Sequence, residues 1–168
     1  MPSITRPVSA APPATAVAGR GLAVLLLAIS AFVIVTTEFI IVGLLPSLSR
    51  DLGIPIALAG QLVTLFAFTV MLAGPFLTAM LSHLERKRLF VVILVVFAAA
   101  NALAAAAPNI WVLGLARFLP ALALPVFWGT ASETAGELAG PEKAGKAVAN
   151  VYLGISGAMV LGLSLIHI

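Results

Sequence analysis

The chain contains no cysteine and only two histidines in 168 residues. Disulfides and thiolate metal sites are therefore excluded, and His83 and His167 lie too far apart to suggest a histidine metal centre. Charge is almost as scarce, at 9% of residues against about 25% in soluble domains. No basic stripe runs along a soluble face, so nucleic acid is not an expected partner. No phosphate loop, nucleophile–base cluster or metal-ligand spacing occurs, so neither an enzyme nor a cofactor is expected. What remains is 62% hydrophobic. That composition belongs to an all-α membrane protein whose first partner is the lipid bilayer.

About 20 apolar residues cross a bilayer as a helix. Four full spans follow at Gly21–Leu45, Ala57–Leu81, Leu89–Ala107 and Ile110–Ala131, and a fifth, partial one starts at Ala147. The separators are PSLSRDLGIP, SHLERKR, Pro108–Asn109 and ELAGPEKAGK. Residues 1–20 are rich in Ala, Pro and Thr, lack aromatics, and are expected to be a disordered tail. The apolar run after Arg20 is too long for a signal peptide and is read as a retained first span.

Placing the N-terminus in the cytoplasm puts Arg6, Arg20, Arg86, Lys87, Arg88, Lys143 and Lys146 inside and only Arg50 outside. That asymmetry fits the positive-inside rule. Trp111 then starts the fourth span at the outer interface, where an indole is well placed. Residues 21–162 are expected to form the membrane bundle. Residues 163–168, LSLIHI, are what one frame of CTGTCTCTTATACACATC encodes, a transposon end used in preparing sequencing libraries. An artefactual end is expected there, so His167 is left out of the site. The alternative is a genuine short terminus, which native codons and a stop in the genomic DNA would establish.

Glu38 is the single charge between Gly21 and Leu45. A charge near the middle of a membrane helix costs roughly 2.5–3.5 kcal/mol on insertion scales, so it is a functional candidate by default and needs a partner. Arg117 is the other charge inside a span. Each lies seven residues from the outer end of its own span, hence roughly 10 Å below the outer boundary. The expectation is an ion pair, or a shared water-filled cavity; the alternative is an arginine that snorkels outward and bonds loose carbonyls. Pro120 and Pro125 follow Arg117 and free carbonyls within the membrane, as in transporter sites, although proline is common in membrane helices generally.

In the second span Gln61, Thr64, Phe68, Met71, Pro75 and Thr78 fall on one helical face. They could line an amphiphilic cavity or only hydrogen-bond across helices. Thr36, Thr37 and Ser30 share that ambiguity. Asn101 is expected to bond between helices, or else to face the cavity. Gly154, Gly157 and Gly162 are expected to allow close helix packing.

TTEFIIVGLLPSLSRDLGI resembles the first helix and first outer loop of the drug:proton antiporter group of the major facilitator superfamily, which includes arabinose-efflux-like permeases. GPFLTAMLSHLERKRL is similar to the end of helix two and the loop motif G-x-L-x-D-R-x-G-R-R. Glu85 takes the acidic position, Arg86 the basic one, and the motif's glycines are absent. LGLARFLPAL resembles the fourth-helix motif R-x-x-Q-G-x-G with Arg117 as its arginine, although Pro120 and Ala121 replace Gln and Gly. GPEKAGKA is similar to the P-E-R-x-G-R-A loop before helix five.

The resemblance implies twelve helices with alternating access around a midplane cavity. This chain would be the N-terminal part of a bacterial inner-membrane exporter exchanging protons for a small molecule, its remaining helices lying beyond residue 162. Together with the reading of the residues above, coupling is expected at Glu38 and Arg117, a cavity lined by Thr37, Gln61, Thr64, Phe68 and Asn101, and, by the loop resemblance, cytoplasmic gating at Glu85, Arg86 and Arg88. The rivals are a facilitator of the same fold and a small accessory or sensor membrane protein.

Overall fold

The computed structural model describes residues 14–162 and Ser164. Five helices follow one another: α1 (Ala14–Asp51), α2 (Ile56–Leu81), α3 (Arg86–Ala105), α4 (Ile110–Ala139) and α5 (Ala144–Gly157), the last continued by a π-helical turn over Ala158–Gly162. Each is long and apolar enough to cross a membrane, α5 when counted through Leu161. The all-α bundle expected from the hydrophobic runs is therefore the observed fold.

The breaks lie where backbone chemistry demands them. Gly53 adopts φ +61° after α1, a conformation glycine takes without steric penalty. Pro55, with no N–H to lose, stands just before α2. Asn109 caps α4, its side-chain oxygen accepting from the amides of Trp111 (3.1 Å) and Val112 (3.0 Å). Gly140, at φ +79°, ends α4 ahead of Pro141.

Boundaries differ most from the sequence expectation at both ends of α1, which runs through Pro46 to Asp51, six residues past the expected Leu45, and at the end of α4. α1 begins at Ala14, inside the expected tail, where the three alanines of ATAVAG favour helix and Thr15, Val17 and Gly19 do not; residues 1–13 lie outside the described residues. α4 runs eight residues beyond Ala131, to Ala139. At about 1.5 Å per residue its 30 residues reach roughly 45 Å, so one end projects past a hydrocarbon core of about 30 Å. The expected artefactual end, 163–168, lies outside the described residues apart from Ser164.

α4 is the axis of the bundle and touches the other four helices, while α1 lies chiefly against α5. Phe127 and Val126 of α4, Ile34 of α1 and Val151 of α5 are the largest fully buried side chains. Bulky residues such as Leu22, Leu26, Ile29, Phe76, Val91 and Val95 face outward, as a lipid solvent requires. Between α1 and α5, close approach is made by glycines. Gly154 sits so close to α1 that a Cβ there would overlap the carbonyl oxygen of Ala28, and one on Gly157 would touch the Phe32 ring at 3.5 Å.

Candidate functional site

The two intramembrane charges do meet, but not carboxylate to guanidinium. Arg117 is buried (8% exposed) on the face of α4 that looks at α1. Its terminal nitrogens donate to the main-chain carbonyls of Thr37 (3.4 Å) and Glu38 (3.2 Å). Its guanidinium carbon lies 4.8 Å from the centroid of the Phe66 ring on α2. Arg117 thereby joins three helices. Among the described residues no nitrogen of Arg117 comes within 4.0 Å of a Glu38 carboxylate oxygen.

The ion pair expected from equal depth is thus replaced by a main-chain clasp. The physical reason is that a helix carbonyl keeps a second lone pair after accepting its own helical bond, and a fork of five donors can take it. Bonding to carbonyls is the part of the alternative reading that the structure shows, here with the main chain of α1. Glu38 is half-buried, and its Oε1 is shielded from solvent without a hydrogen-bond partner, as is Arg117 Nε. Two opposite charges therefore sit on touching helices, each with an unused polar atom. That unsatisfied state is what a site awaiting a proton, water or ligand presents.

The neighbouring hydroxyls are used locally. Thr36 donates to Phe32 O and Thr37 to Ile34 O, both at 2.8 Å. Asn101 is exposed and donates to Phe97 O of its own helix (2.8 Å), rather than across helices. The α2 stripe of Gln61, Thr64, Phe68, Met71 and Pro75 is exposed, and Thr78 is half-buried. Leu62, Phe66 and Thr69 face inward instead. Among the described residues none of that stripe, nor Asn101, hydrogen-bonds to Glu38 or Arg117.

The proline rings shape the α2–α4 contact. Pro120 is buried, and the Pro125 ring fills a notch at Gly74, where an added Cβ would lie 3.1 Å from it.

At the other end of the bundle Arg86 reaches α4. Both its terminal nitrogens bond the Glu137 carboxylate, one at 2.7 Å, and NH2 lies 3.1 Å from Glu133 Oε1. Arg88 pairs instead with Glu85 at 2.7 Å. The loop residues Glu85, Arg86 and Arg88 are thus divided, with Arg86 alone clasping another helix. These groups are substantially exposed, so solvent screening leaves each pair little contribution to stability. The bidentate geometry adds specificity.

Three residues of these sites were missed in sequence. Glu133 and Glu137 were hidden because the fourth span was ended at Ala131; their i, i+4 spacing was the available signal. Phe66 lies off the polar stripe and carries no signal beyond being aromatic.

The sequence model of the Major Facilitator Superfamily matches residues 27–168. Among similar proteins is the uncharacterized MFS-type transporter YtbD of Bacillus subtilis (strain 168), 40% identical over 141 residues, which cover 84% of this chain and 36% of that protein. The inner membrane transport protein YdhP of Escherichia coli (strain K12) is 37% identical over 139 residues, 83% of this chain and 36% of its own length. A protein named probable sugar efflux transporter in Pasteurella multocida (strain Pm70) is 33% identical over 142 residues, 84% of this chain and 35% of its own. The chain thus spans about a third of the length of these curated relatives.

Proposed function

The chain belongs to the major facilitator superfamily, and we propose that it is the N-terminal helical part of an inner-membrane exporter that moves a small molecule outward in exchange for protons. The names of its relatives, one an inner membrane transport protein and one a sugar efflux transporter, favour export and a bacterial cytoplasmic membrane. Lys and Arg placement favours a cytoplasmic N-terminus. The remaining helices of the transporter, supplied beyond residue 162, complete the cavity.

One observation carries the coupling: Glu38 keeps a shielded carboxyl oxygen without a partner inside the membrane. Arg117 bonds the α1 main chain instead of that carboxylate. The carboxyl group is therefore free to take up a proton in one state and release it in another. In alternating access the Arg86 clasp on Glu133 and Glu137 holds α3 to α4 at the cytoplasmic end, and loosens when that end opens.

The test uses the uninterrupted gene product in everted vesicles with an internal pH dye. Adding a transported pentose or lipophilic cation releases protons in the wild type and not in Glu38→Gln. Transport by the wild type without proton movement selects the facilitator reading instead.

A further inference from the structure

The arrangement around Arg117 poses a question of balance. Its two main-chain bonds, at 3.4 and 3.2 Å, are longer than the usual 2.7–2.9 Å of charge-assisted bonds to carboxylates. Its Nε and the Glu38 Oε1 both lack partners. Opposite charges attract strongly in a low dielectric, so bonds this long do not by themselves keep the guanidinium off the carboxylate. The remaining contact is the Phe66 ring, half-buried on α2 and 4.8 Å from the guanidinium carbon. Its negative face attracts a cation, more strongly where water is excluded. The guanidinium is held between that ring and the main chain of α1.

We infer that Phe66 is a positioning residue: its ring seats the Arg117 guanidinium on the Thr37 and Glu38 carbonyls and so keeps the Glu38 carboxyl group free to exchange protons. The inference rests on the reading of Glu38 as the titrating group. Among the described residues no salt bridge reaches Glu38. α2 has no acidic or basic side chain, the Lys146 of α5 and the Arg86, Lys87 and Arg88 of α3 lie at the opposite end of the bundle, and α4 brings Arg117 alone to this depth. Losing the ring frees the guanidinium to swing onto the carboxylate and hold it charged.

The experiment measures carbodiimide labelling of Glu38, a reaction of the protonated carboxyl group, in the uninterrupted gene product reconstituted into phosphatidylglycerol-containing nanodiscs, across pH. Glu38→Gln defines the background. Phe66→Leu and Phe66→Met keep the apolar bulk and remove the π face. Both are expected to label about tenfold more slowly than wild type at neutral pH, with labelling recovered on acidification. Phe66→Tyr, which keeps the π face, is expected to follow the wild-type profile. A wild-type profile in both aliphatic variants overturns the inference, and so does a Tyr variant that loses labelling as they do. The readout involves no transport. Uphill export by Glu38→Gln would therefore defeat proton coupling while leaving the placement of Arg117 by Phe66 to be judged on labelling alone.

Discussion

Glu38 and Arg117 divide the work that a simple ion pair would have merged. A carboxylate locked onto a guanidinium is a poor proton carrier, because the cation stabilises its charged form. With Arg117 turned to the carbonyls of Thr37 and Glu38, the arginine becomes a fastener and the carboxylate stays available. Arg117→Ala should therefore loosen α1 from α4, leaving buried carbonyl acceptors and a cavity. The expected destabilisation is about 1.5–3 kcal/mol, as for losing hydrogen bonds donated by a charged group, measured by thermal unfolding in detergent. Wild-type stability in that variant would contradict the fastener role. Arg86→Gln should leave the thermal unfolding of the bundle nearly unchanged, since its acidic partners are exposed. If it instead unfolds the bundle, the clasp is structural and its part in gating falls away.

Among the helices, the closest approach is α1 against α5 at Gly154, and the test is a methyl group. Gly154→Ala places a carbon on the Ala28 carbonyl and should cost about 1–3 kcal/mol through overpacking. Gly60→Ala, in a helix with open space at that point, should be neutral or stabilise by up to about 1 kcal/mol. Thermal unfolding of the two variants side by side checks the contrast, and equal losses would contradict the packing.

The helices themselves were legible in the sequence because a hydrophobic run bounded by Gly53, Pro55, Pro108 and Gly140 leaves the backbone few choices. Their ends were less so. Composition marks where apolar residues stop, yet residues 132–139 continue α4 into a polar stretch that Arg86 holds from outside. Equal depth correctly brought Arg117 to Glu38, because helical rise converts residue number into height. Rotation about the helix axis was invisible to that reasoning, so the carbonyl contact, the outward turn of Gln61 and Phe68, and Phe66 beneath the guanidinium emerged only from packing.

For the molecule in its membrane, orientation is the first thing to test, and the absence of cysteine makes the measurement clean. In intact cells a membrane-impermeant maleimide should label Arg50→Cys and leave His83→Cys unlabelled until the cells are permeabilised. The reverse pattern would place the N-terminus outside and invert both ends of the mechanism. The coupling role of Glu38 is tested most directly by driving the uninterrupted gene product in proteoliposomes with an imposed pH gradient. Wild type should concentrate a transported pentose or lipophilic cation against its gradient. Glu38→Gln should carry the same molecule downhill but never uphill, and undiminished uphill accumulation by Glu38→Gln would contradict proton coupling at that carboxylate.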